Sequence, residues 1–131
     1  MRFFVTFVGC LGLLLAGCKP NDSAPSTPGG AAGKSDLKAR LDAAKAITFT
    51  SERDSALAAV ARDAAKAGDA GVTKGAIGGI VFTSAKDEAA AESALRLAAA
   101  GQGTAANEVA QMITFTSVRD ATLKKLATGG R

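Results

Sequence analysis

The thiols are the first place to look for chemistry in this chain. Its two cysteines, Cys10 and Cys18, both fall in the first eighteen positions, and the 131 residues contain no histidine, tyrosine or tryptophan. Downstream of Lys19 the chain therefore offers no thiol, imidazole or phenol. That excludes Ser-His and Cys-His nucleophile pairs there, and zinc sites built from Cys and His. Carboxylates, Lys and Ser remain, but the acidic residues are scattered rather than paired, and no Gly-rich phosphate loop is present. The residues predict no catalytic site, no metal, no cofactor and no small-molecule substrate. Lys plus Arg is 16 and Asp plus Glu is 12, a formal charge of +4. This is too mild for the dense basic stripe of a nucleic-acid binder. The length suggests one domain at most.

The surroundings of Cys18 are specific. Met1 and Arg2 make a short positive start, and Phe3 to Gly17 is an apolar run of fifteen residues. Polar Lys19-Pro20-Asn21-Asp22 follows at once. A run this short, with a charged start and small residues at its end, reads as a secretory signal over 1–17 rather than a membrane span. Its last residues and the next, Leu15-Ala16-Gly17-Cys18, match the lipobox of bacterial lipoproteins. The resemblance implies a diacylglyceryl group on the Cys18 sulfur, cleavage between Gly17 and Cys18, and acylation of the new amine. Palmitate is then an expected label. Cys10 would leave an apolar run too short to engage the membrane. One acyl chain binds a membrane only marginally, at an association constant of roughly 10⁴ M⁻¹, whereas two anchor stably. Lys19, in place of the Asp that favours inner-membrane retention in enteric-type sorting, implies the outer membrane, facing the periplasm.

Residues 18–35 form the lipidated Cys18 and a linker in which all three prolines are gathered with Ser, Gly and Ala. Nothing in it can bury a core, so it is expected to be a disordered tether. From Asp36 the chain repeats. Ile47-Thr48-Phe49-Thr50-Ser51, Ile80-Val81-Phe82-Thr83-Ser84 and Ile113-Thr114-Phe115-Thr116-Ser117 recur every 33 residues without a gap. Arg53-Asp54, Lys86-Asp87 and Arg119-Asp120 keep the same register, as do Gly68 and Gly101. A period of this length means stacked supersecondary units, near 36–68, 69–101 and 102–131.

Each unit reads as two helices. The stretch after each Phe string is rich in Ala and poor in breakers. Leu57, Val60, Ala61 and Ala64 share one helical face; Ala90, Ser93, Ala94 and Leu97 match them in the second unit, and Leu123, Leu126 and Ala127 in the third. Glu92 and Arg96 make an i,i+4 surface pair. Ser51, Ser84 and Ser117, each followed three residues later by Asp, are expected helix caps, and Gly68 and Gly101 the helix ends. The leading helices are expected at Leu37–Ile47, Val72–Val81 and Ala105–Thr114, so that each Phe string closes a helix; a short strand is the rival reading. Gly75, Gly78 and Gly79 weaken the middle one, predicting close packing or fraying. Phe49, Phe82 and Phe115, with Ile47, Ile80, Ile113, Leu57, Leu97 and Leu123, are the expected repeat core, at about 1.5–3 kcal/mol for each large side chain fully buried. Arg53, Lys86 and Arg119 form a row that is either a solvated, Asp-paired face or an interaction surface.

Two-helix units of this length resemble the alpha-solenoid class, with the tetratricopeptide repeat the nearest named relative. The likeness covers residues 36–131 and is architectural: the family's Trp, Gly and Tyr signature is absent, and so is the T-P-L-H string of ankyrin repeats. It implies an all-α fold, a short right-handed solenoid, and carries no binding residues across. The function expected is that of a membrane-anchored envelope lipoprotein whose repeats bind an envelope protein. The alternative is an accessory or spacer lipoprotein on cell-wall polymer, favoured by the modest positive charge.

Overall fold

The structure, a computed structural model, describes residues 33–129. The expected signal segment, Gly17, Cys18 and the linker up to residue 32 lie outside the described residues. The rest is all-α. Six helices follow in order: α1 (Lys34–Lys45), α2 (Thr50–Lys66), α3 (Ala70–Gly79), α4 (Thr83–Ala99), α5 (Gly103–Gln111) and α6 (Thr116–Ala127). Among the described residues there is no strand.

Local chemistry sets these boundaries. In α1, Leu37, Leu41 and Ala44 return every three or four residues, and all three are buried; this stripe draws Lys34 and Ser35 into the helix, so the linker stops earlier than its composition suggested. Helices α2 and α4 end in the same way. Gly68 and Gly101 take φ of 72° and 77°, a region closed to most side chains. Gly68 N–H donates to the Ala65 carbonyl at 3.1 Å and Asp69 N–H to that of Ala64 at 2.8 Å. The second turn copies this with Gly101 to Ala98 and Gln102 to Leu97, at 3.0 and 2.8 Å. These are Schellman closures, which satisfy the carbonyls a helix end leaves open. Asp69 then caps α3 directly, its carboxylate accepting Val72 N–H at 3.0 Å.

The helices lie in two layers. Helices α1, α3 and α5 neighbour one another, as do α2, α4 and α6, and each odd-numbered helix packs on the even-numbered ones beside it. The core between layers is mostly alanine, including Ala61, Ala64, Ala65, Ala76, Ala90, Ala94 and Ala110, pinned by Leu37, Leu57, Ile77, Leu97, Val109 and Ile113. Small side chains bring helix axes close together. At Gly79 an added Cβ would stand 2.9 Å from Leu57 Cδ1, and at Gly75 3.3 Å from Leu41 Cδ2. These two glycines mark close packing; Gly78, with nothing within 4 Å of the same probe atom, does not.

The Phe strings differ from expectation. They close no helix and form no strand: each begins as a short link, with Phe49, Phe82 and Phe115 extended at φ −74°, −72° and −74°, and its last two residues open the next helix.

Candidate functional site

The recurring strings and the carboxylates beneath them form the most distinctive feature of the molecule. Asp54, in the first turns of α2, is 2% exposed, and so is Asp87 in α4. Neither serves its own helix end. Asp54 Oδ2 accepts the N–H groups of Val81 and Phe82 at 2.9 and 2.8 Å. Asp87 accepts Thr114 N–H on Oδ1 at 2.8 Å and Phe115 N–H on Oδ2 at 2.7 Å. Each buried carboxylate therefore latches the string of the following unit, through charge-assisted bonds to amides that would otherwise be orphaned.

This corrects the capping expectation. Ser51, Ser84 and Ser117 stand one residue inside their helices, exposed. The N-cap residues are Phe49, Phe82 and Phe115, none with a side-chain cap bond. The S-x-x-D spacing is real, but its Asp reaches across to the next unit. The recurrence of the Asp 27–28 residues before the next string's amides was the available signal.

The aromatic core is corrected too. Phe49 is 76% exposed, Phe82 52% and Phe115 53%. For Phe82 and Phe115 the latch supplies the reason; Phe49, the most exposed of the three, meets no latch among the described residues. Consecutive amides at 81–82 and 114–115 turn inward to the carboxylate, so the side chains at those positions are turned outward. The burial assigned to Phe falls instead to the isoleucine just upstream: Ile80 and Ile113 are buried, Ile47 half-buried. Leu57 and Leu97 are fully buried, while Leu123 is half-buried.

The basic row lies one turn into each even-numbered helix. Arg53 is 26% exposed at its side chain, with Nε 4.0 Å from Asp54 Oδ1. That distance is too long for a hydrogen bond and leaves both atoms buried without one. Lys86 and Arg119 are half-buried and have no ion-pair partner among the described residues. Elsewhere, surface pairs stitch neighbouring helices together: Arg40 to Asp63, Lys74 to Glu108, and Arg62 to both Glu88 and Glu92. Arg96 closes on Glu92 as its spacing suggested, and the two arginines hold the Glu92 carboxyl below its ordinary 4.5, the Arg96 hydrogen bond first and that of Arg62 second.

No protein-family model, curated protein or solved structure matches the chain. The reading of the site rests on its own geometry. The latch carboxylates are engaged by backbone amides. A groove of about 240 Å³ lined by Ala98, Ala106, Asn107, Leu123 and Leu126 sits between α4, α5 and α6, and its lining carries no acid or base. Among the described residues no group of three metal-ligating side chains gathers, and no helix is long and apolar enough to cross a membrane. Each string presents an aromatic ring and two or three hydroxyls to solvent, with a half-buried cation behind it. Such a surface can bind.

Proposed function

We propose that the chain is a membrane-anchored envelope lipoprotein whose three helical units form a short right-handed solenoid and serve as a protein-interaction module. The lipobox Leu15-Ala16-Gly17-Cys18 supports an acyl anchor on Cys18, and Lys19 after it supports the outer membrane, facing the periplasm. The observation that carries the module is the latch repeated at Asp54 and Asp87. A joint reproduced unit by unit makes neighbour-to-neighbour stacking, the physics of a solenoid, the simplest reading. Extended, repeated outer faces are what such stacks offer to partners.

The anchor is tested by growing cells with labelled palmitate and taking the mass of the mature N-terminal peptide. Label on the wild-type chain and none on Cys18→Ser is the expected result; an unacylated mature chain refutes it. The module is tested by crosslinking in the intact envelope followed by mass spectrometry. One protein recovered at matched stoichiometry is expected, and recovery of wall polymer alone would favour a spacer.

A further inference from the structure

Building on the lipid-anchored reading, we infer that the edge formed by Phe49, Phe82 and Phe115 rests on an anionic phospholipid surface, with its rings among the headgroups. The three rings project from equivalent places on neighbouring helices. Packed helices lie about 8–10 Å apart, so the rings form a comb of roughly 20 Å rather than one continuous patch. Val81, also exposed, adds a fourth apolar side chain. Between the rings stand exposed hydroxyls: Thr48, Ser51, Thr83, Ser84, Thr114, Thr116 and Ser117. A protein-binding hot spot gathers its aromatics in a contiguous, desolvated centre. Single apolar prongs spaced through a hydrogen-bonding background suit the interfacial layer of a bilayer, where each prong inserts independently.

Charge points the same way. Lys45 ends α1 at this edge, and Arg53, Lys86 and Arg119 lie one turn behind the rings. Exposed acids nearby are Glu52, Asp120, Glu88 and Asp42, of which Glu88 pairs with Arg62 and Asp42 with Lys38; Asp54 and Asp87 are withdrawn into the latches. The positive ends of α2, α4 and α6 also open onto this edge. An aromatic comb with a cationic rim complements anionic headgroups.

The tether permits the pose. Fourteen residues, Lys19 to Ala32, separate Cys18 from Gly33. Fully extended they reach at most about 46–50 Å. Helix α1, of twelve residues, carries its start only about 18 Å from the string edge. The anchor and the comb can therefore meet one bilayer, leaving the opposite helix ends, around Gly68 and Gly101, toward the periplasm.

The chain has no tryptophan, so Phe82→Trp gives a single reporter on the edge and Lys66→Trp one at the far end of α2. Each full-length chain, purified with its acyl groups, is reconstituted into phosphatidylglycerol–phosphatidylethanolamine vesicles carrying brominated acyl chains. Trp emission at 82 is expected to shift to the blue and be quenched, while that at 66 stays unquenched. Adding Phe49→Ser or Phe115→Ser is expected to shift the inserted-to-free ratio at 82 by roughly tenfold each. Circular dichroism of these variants should stay unchanged because the rings are exposed. Vesicle-bound chain with an unquenched reporter at 82 would overturn the edge inference and leave the anchor standing. Quenching lost only when envelope protein is added would overturn it in favour of a protein site on the comb. A full-length chain that proves to carry no acyl groups when purified from cells would instead overturn the anchor.

Discussion

Asp87 and Asp120 occupy the same position of successive units, yet one is 2% exposed and the other lies open to solvent. The difference lies in what meets each carboxylate among the described residues. Asp87 is buried because the Thr114 and Phe115 amides meet it. Nothing among the described residues meets Asp120. The units around them differ accordingly. Helix α4 buries Asp87, Ala89, Ala90, Ser93, Ala94 and Leu97, whereas α6 buries only Thr122. A residue's role in this molecule is thus set by the neighbour stacked on it, not by its own helix.

The largest test of that contrast is Asp87→Ala. It removes two charge-assisted bonds and leaves two amides unsatisfied at a closed joint. We expect a loss of about 3 kcal/mol in urea unfolding, a large share of the stability of a domain this small. Asp54→Ala should cost about as much. Asp120→Ala should change stability by less than about 0.5 kcal/mol. Equal losses at 87 and 120 would mean that the Asp serves its own helix after all.

The contrast also shows what the sequence can and cannot reveal. Helix number, the Ala-rich faces and the glycine turns at Gly68 and Gly101 follow from local propensity and are legible residue by residue. The Phe strings are not. Apolar character and strict periodicity argued for burial at Phe49, Phe82 and Phe115, because hydrophobic pattern reports only which residues avoid water on average. Backbone direction decides the matter, and at Phe82 and Phe115 it is fixed by an amide–carboxylate contact 27–28 residues away. The same non-local contact turned the apparent cap at Asp54 into a latch. The row Arg53, Lys86 and Arg119 was legible as a row, but not its place behind an aromatic edge.

Packing at the first joint gives the next effect. Gly79→Ala drives a methyl to 2.9 Å from Leu57 Cδ1, and Leu57 is fully buried. Overpacking of this kind costs about 1–2 kcal/mol. Gly78 has no such neighbour, so Gly78→Ala should stabilise by about 0.5–1 kcal/mol through helix propensity. Thermal melts of the two variants should move in opposite directions. A shared direction would show that helix propensity, not the close approach of α2 and α3, controls this joint.

Position 93 sharpens the comparison further. Val60, Ser93 and Leu126 are equivalent across the units. Val60 is 4% exposed, Ser93 fully buried and Leu126 half-exposed over the open groove. Ser93 Oγ is buried with no hydrogen-bond partner. Replacing it by Ala removes that unsatisfied group and should raise stability by about 1 kcal/mol. Leu126→Ala should cost less than about 1 kcal/mol, well below the usual loss at a closed core site. A cost above that would mean that the last unit is packed as tightly as the joint.

The smallest effect separates the buried latch from the surface stitching beside it. Glu92 joins α4 to Arg62 of α2 and to Arg96 of its own helix, while the third unit places Lys125 at the equivalent position. Its carboxyl lies below 4.5 in the folded chain because Arg96 and then Arg62 hold the charged form. A carboxylate depressed on folding contributes stability that is fully present above its ordinary value and is lost as pH falls through the lowered one. Its side chain is 38% exposed, so solvent screening limits the contribution to about 0.5 kcal/mol. Wild type should therefore exceed Glu92→Gln by this small margin at pH 6, and the gap should close toward pH 3. Molar salt should narrow it as well, since an exposed pair is screened, whereas the loss from Asp87→Ala should persist in the same salt. A Glu92 margin that ignored both pH and salt would show that the side chain acts by packing its methylenes rather than through its charge.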